Sequence, residues 1–204
     1  RPPSKANVKG DVRGFDARTG KLLWTFHTIP EPDEPGYETW LNDSALYTGN
    51  AGVWAPMSAD IENGLVYLPV ESATGDQYGG DRHGDNLFAN SLIALDFRTG
   101  KMKWYFQLIH HDIWDMDIPT APILADLPNG KKIVAQVTKQ GFVYVFDRIN
   151  GKPIWPINEI PVPQTDVDGE WTAPTQPIPE LPAPFERQGV TREDLIDYTP
   201  EIRR

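Results

Sequence analysis

Positions 110–117 read HHDIWDMD, two histidines and three aspartates around a tryptophan. Carboxylate oxygens suit a hard cation such as Ca2+, and imidazole suits a transition metal. On a strand, Asp112, Trp114 and Met116 take one face while Ile113, Asp115 and Asp117 take the other. In a turn all three carboxylates can converge. The adjacent His110 and His111 point to opposite sides of a strand, which argues against joint ligation. The alternative use is local: aspartates in loops commonly accept backbone N–H bonds.

The elements that would position this segment are β-strands. The chain has 204 residues, 39% hydrophobic and 11% aromatic, with seven Trp and three Met. That is enough apolar material for a packed core, and its aromatic bias favours strands. A net charge of −10 argues against nucleic acid or an anionic membrane as partner, since both need a positive footprint. With no Cys, disulfides, thiolate zinc sites and cysteine nucleophiles are excluded together. The opening RPPSKANVKGDVRGFD lacks the apolar core of a signal peptide, and no run approaches a membrane span.

Three segments repeat one pattern: FDARTGKLLWTF from Phe15, LDFRTGKMKWYF from Leu95 and FDRINGKPIWPI from Phe146. Each reads as a tight hairpin. Asp16, Asp96 and Asp147 end a strand, where a carboxylate accepts turn N–H groups. Gly20, Gly100 and Gly151 supply the positive φ, and Trp24, Trp104 and Trp155 lie four residues into the returning strand. In KMKWYF, Met102, Trp104 and Phe106 share one face and Lys101, Lys103 and Tyr105 the other. Further strands are predicted over 64–70, 91–97, 132–138 and 142–148. The repeats start at 15, 95 and 146, leaving room for a four-stranded sheet plus a loop in each unit. Repeated four-stranded sheets with one Trp apiece predict an all-β propeller, with a β-sandwich as the plainer alternative.

Blades are expected over 1–157. Residues 158–204 read as a proline-rich, strand-poor connection, with a short capped helix from Thr191 and another starting at Thr199 and Pro200. Three motifs are too few for a comfortable ring, so the chain reads as an internal fragment.

HHDIWDMDIPTAPILADL, followed by KQGFVYVFDRINGKPIWP, resembles the quinoprotein dehydrogenases that depend on pyrroloquinoline quinone (PQQ), in their glucose dehydrogenase-type branch. VWAPMSADIENGLVYLPV, YGGDRHGDNLFANSLIALD and DVRGFDARTGKLLWTF extend the resemblance along nearly all of the chain. It implies an eight-bladed propeller with PQQ near the ring axis, of which this chain covers a central part.

The resemblance also implies roles. Trp54 matches the tryptophan that floors the planar cofactor; indole offers the largest flat surface. Thr74 matches a position close to metal and cofactor, where related alcohol dehydrogenases carry an asparagine and this chain offers Ser72 and Thr74. Asp115 matches the catalytic base beside the metal, Ca2+ or Mg2+, with Asp112 its nearest rival. Lys139 matches a cation that contacts the quinone oxygens, and Arg82 is a weaker third source of positive charge for the three PQQ carboxylates. His110 and His111 receive no catalytic role. The implied activity is oxidation of an alcohol or aldose hydroxyl, with electrons passed to a quinone or cytochrome, in the periplasm, membrane-associated through regions outside this chain. The isolated fragment is expected to be inactive. A different class, the non-catalytic propeller that scaffolds protein assembly, carries similar repeats but has no use for HHDIWDMD, Trp54 and Lys139 together.

Overall fold

The computed structural model describes residues 5–199, 201 and 202. Eleven strands form four antiparallel sheets among these residues. Strands β1 (Val12–Phe15) and β2 (Leu22–Phe26) make a hairpin. Strands β3 (Ser58–Asp60), β4 (Leu65–Pro69), β5 (Ser91–Asp96) and β6 (Met102–Gln107) follow as a four-stranded meander. Strands β7 (Ile123–Asp126), β8 (Lys132–Val137) and β9 (Val143–Asp147) form a third sheet, and β10 (Ile157–Pro161) pairs with β11 (Thr175–Pro179). Among the described residues one sheet is a complete four-stranded blade.

The three repeats are the hairpins that the sequence predicts. In the first, Asp16 Oδ1 accepts the N–H groups of Arg18 (3.0 Å) and Thr19 (2.8 Å). Asp96 and Asp147 do the same for Arg98 and Thr99, and for Ile149 and Asn150. The turn glycines have φ of 70°, 70° and 73°. The third hairpin opens early: Phe146 bridges only Pro153, and Trp155 lies outside any strand. Pro153 and Pro156 replace residues whose N–H groups the other two repeats possess.

Two core clusters lie between sheets, one centred on Leu68, Ile93 and Leu95, the other on Tyr67, Trp104, Tyr144 and Phe146. The repeat tryptophans join neighbouring sheets. Trp24 Nε1 donates to Phe97 O at 3.0 Å and its indole covers Gly100. Trp104 Nε1 donates to Arg148 O at 3.0 Å and its indole covers Gly151. Each tryptophan thus docks on the hairpin of the next repeat, whose glycine has no Cβ to block it.

Two expectations change. The proline-rich stretch contains the β10–β11 pair. Its prolines sit at alternate register positions (Ile157↔Pro179, Glu159↔Pro177, Pro161↔Thr175), which leaves Asn158↔Ile178 and Ile160↔Gln176 for ladder bonds. The helix expected from Thr191 is one short turn, Arg192–Asp194. The Asp194 carboxylate accepts both the N–H and the hydroxyl of Thr191, yet Leu195 is already extended. The second expected helix includes Pro200, Arg203 and Arg204, which lie outside the described residues.

Candidate functional site

Loops 49–54, 70–76 and 108–117 and the turn 138–141 meet on one side of the molecule. Backbone bonds tie the first two: Ala51 N to Ser72 O at 3.0 Å and Glu71 N to Gly52 O at 2.9 Å. The second and third are joined by Asp115 N to Asp76 O at 3.2 Å and by Ser72 N to Asp117 Oδ1 at 3.0 Å. Lys139, from the turn between β8 and β9, closes the group. Its Nζ lies 2.9 Å from Asp115 O and from Asp117 Oδ2, and 3.5 Å from Asp115 Oδ2.

Asp115 is the carboxylate on offer in HHDIWDMD. Its side chain is 45% exposed and its φ of 54° is a left-handed conformation that aspartate tolerates better than most residues. Partial burial and the neighbouring charges of Asp117 and Asp76 raise its pKa, against the pull of Lys139. Burial alone would lower the pKa of Lys139; the hydrogen bond and charge of Asp117, then Asp115, hold it above its ordinary value. Lys139 is therefore a fixed cation.

Asp112, the rival base, is 2% exposed and committed to protein donors. Its Oδ1 accepts Trp114 N at 2.9 Å, and its Oδ2 accepts Met116 N at 2.8 Å, Asn90 Nδ2 at 3.1 Å and the Ser72 hydroxyl. Burial raises its pKa while these donors oppose the rise. With every donor coming from the chain, no substrate hydroxyl reaches it.

Trp54 is 56% exposed, so its indole is available as a platform rather than spent in the core. Thr74 is 8% exposed and its hydroxyl has no hydrogen-bond partner among the described residues; it lies in the loop that meets Asp115. Arg82 changes role. At 1% exposure its guanidinium is sealed inside, donating to Thr74 O (3.1 Å), Gly75 O (2.9 Å), Asn86 Oδ1 (2.7 Å) and Asp112 O, so it offers no charge to a ligand. His110 bonds Gln107 and Glu159. His111, 1% exposed, sits between Gly84 O and Glu170. Both imidazoles are engaged by protein partners.

Glu71 escaped the sequence reading. Its Oε1 accepts Gly52 N at 2.9 Å, and burial, then the charges of Asp117, Asp115 and Asp76, raise its pKa. The signal was present in ESATGD, where Glu71 and Asp76 bracket Thr74. Beside Trp114, Met116 and Lys139 opens a cavity of about 440 Å3 with Phe142 and Ile178 in its walls; Gln188 lines its other side.

The pieces suit a planar, anionic redox group: an exposed indole, a fixed cation and an accessible carboxylate. They also suit a hard cation in part. Among the described residues no three His, Cys, Asp or Glu side chains form a metal cluster by themselves. The carboxylates on hand are Asp115 and Asp117, both within 3.5 Å of Lys139 Nζ, with the charges of Asp76 and Glu71 close by, and a six- to eight-coordinate ion would draw the remainder from elsewhere.

Residues 2–204 match the family model described as PQQ: glucose/ethanol/alcohol dehydrogenase, beta-propeller domain. The chain is 40% identical over 183 residues to the quinoprotein glucose dehydrogenase of Escherichia coli (strain K12), covering 87% of this chain and 22% of that protein. It is 41% identical over 190 residues to quinoprotein glucose dehydrogenase A of Acinetobacter calcoaceticus, covering 87% and 23%. The quinohemoprotein alcohol dehydrogenase of Comamonas testosteroni superposes with a TM-score of 0.67 at 28% identity, over 87% of this chain and 28% of that one. The chain thus spans under a quarter of the length of these curated relatives. A match along almost its whole length, with the hairpins, docked tryptophans and strand order just described, places the chain in the family of PQQ-dependent glucose/ethanol/alcohol dehydrogenase β-propeller domains.

Proposed function

We propose that this chain forms the cofactor-facing part of a PQQ-dependent dehydrogenase that oxidises an alcohol or sugar hydroxyl, with Asp115 as general base. The observation that carries this reading is the pairing of an accessible carboxylate, Asp115, with the fixed ammonium of Lys139 at 3.5 Å, while the neighbouring Asp112 is consumed internally. The relatives act, by their names, on glucose, quinate or shikimate, glycerol and alcohols.

Trp54, Lys139 and Thr74 would hold the cofactor and Asp115 and Thr74 a divalent cation, Ca2+ or Mg2+. Bound PQQ supplies a two-electron acceptor for the hydride equivalents that leave the substrate's carbinol carbon. Asp115 takes the hydroxyl proton onto a carboxylate oxygen. Lys139 supplies fixed positive charge where negative charge grows, without reorganising in the reaction. The cavity beside Trp114, Met116 and Lys139 would give the substrate an apolar wall next to the Lys139 ammonium. A quinone or cytochrome acceptor and a periplasmic location belong to the same proposal.

The test is cofactor binding by the full-length protein. Equilibrium dialysis with PQQ and Ca2+ is expected to give saturable binding that weakens in Lys139→Met. Absence of PQQ binding by the intact protein would overturn the enzymatic reading.

A further inference from the structure

Trp114 and Met116 donate their N–H groups to one buried carboxylate, Asp112, at 2.9 and 2.8 Å. The residue between them is Asp115, with φ of 54°. An aspartate that gathers the amides on both sides of its neighbour fixes that neighbour's backbone, as Asx-type bonds do in turns. Asp112 is itself anchored by three residues of the β4–β5 connection. Ser72 Oγ and Asn90 Nδ2 donate to its Oδ2, and Arg82 donates to its carbonyl. Asn90 Nδ2 also reaches Met116 O at 3.2 Å. The same Arg82 holds Thr74 O and Gly75 O, so the loop that carries Thr74 and the loop that carries Asp115 share one guanidinium.

From this geometry we infer that Asp112 is the positioning residue of the site: it acts through Asp115, locking the base in the left-handed conformation that sets it beside Lys139. The inference rests on Asp115 being the base. Asp112 touches no substrate. An amide at this position keeps the size of the group but presents two N–H donors where the carboxylate receives donors on both oxygens, so the lock is broken without leaving a cavity.

The test uses the full-length holoenzyme and a double-variant cycle. Asp112→Asn is expected to lower kcat about a hundredfold, the scale of an ångström's misplacement of a reacting group, with KM and PQQ affinity changed less than about twofold. In an Asp115→Asn background, compared at equal PQQ loading, the same change is expected to cost less than about twofold, because the residue it positions is gone. Equal losses in both backgrounds would overturn the inference and make Asp112 a general support of the fold; so would an unchanged kcat in the single variant. Should Asp112→Asn fail to fold, Ser72→Ala removes one donor only. It is expected to cost several-fold in kcat, again vanishing in the Asp115→Asn background, and a loss persisting there overturns the inference. Undiminished turnover in Asp115→Asn alone would sink the assignment of the base, whatever the Asp112 variants do.

Discussion

At the scale of residues, HHDIWDMD divides by burial. Its aspartates look equivalent in sequence, and alternation on a strand would separate Asp112 from Asp115 and Asp117. The segment is instead a loop, and the solvent-starved Asp112 gathers donors while the half-exposed Asp115 stays open. Asp115, Lys139, Trp54 and Thr74 stood out in the sequence because the stretch around each is distinctive, and the structure brings Lys139 Nζ to 3.5 Å from Asp115 Oδ2. Arg82, expected as a weaker third source of charge for the cofactor, is instead buried, and four chain acceptors make that burial tolerable. Lys139→Met should lower kcat by about a hundredfold or more, the loss found when one charge-stabilising donor is removed; a change under threefold in steady-state kinetics would contradict it. Trp54→Ala should weaken PQQ binding by roughly 3- to 10-fold, the value of one stacking contact. Unchanged affinity in dialysis would show that the exposed indole is not the platform.

Among the elements, the hairpin turn and its tryptophan carry the architecture. Gly151→Ala places a methyl 2.6 Å from Trp104 Cδ2 at φ 73°, so it should destabilise by about 2–4 kcal/mol, combining left-handed strain with overpacking. A urea midpoint within error of wild type would contradict this. Arg148 is the second joint: its Nε meets Asp60 Oδ2 at 2.7 Å with both side chains buried, and its carbonyl receives Trp104 and Tyr67. Asp60→Ala removes this buried partner but leaves Arg148 the exposed carboxylate of Asp126 at 2.7 Å, so it should cost about 1.5–3 kcal/mol, the value of a hydrogen bond to a charged group. Burial pushes the Asp60 pKa up, but Asn63 and Arg148 outweigh it and hold the value below 3.8. Because the folded value is the lower one, the Asp60 contribution is complete above the unfolded pKa and fades as pH falls through the folded one. The difference in unfolding midpoint between wild type and Asp60→Asn should therefore shrink in acid. The hairpins were legible because Asp, Gly and Trp each have a backbone reason to be there. The β10–β11 pair was not, because prolines hide a strand whose ladder needs only alternate N–H groups.

Over the whole molecule, the chain offers docking places at both ends of its repeat series. Gly20 has the φ of its two counterparts but no described residue within 4 Å of a Cβ, and Trp155 is 38% exposed. In a protein as long as the relatives, a preceding repeat's tryptophan would cover Gly20 and a following hairpin would receive Trp155. Gly20→Ala in the full-length protein should then be as damaging as Gly151→Ala, whereas strain alone would cost about 1–2 kcal/mol. In a chain of net charge −10, Asp115, Asp117, Asp76 and Glu71 crowd a region that Lys139 partly neutralises. The central claim, that this cluster is a PQQ site with Asp115 as its base, is tested most directly by dye reduction with alcohols and aldoses. Full-length wild type and Asp115→Asn should be compared at equal, verified PQQ occupancy with Ca2+ present. The expected result is PQQ-dependent turnover in the wild type and a loss of at least a hundredfold in kcat in the variant; equal turnover by the two loaded proteins would contradict it.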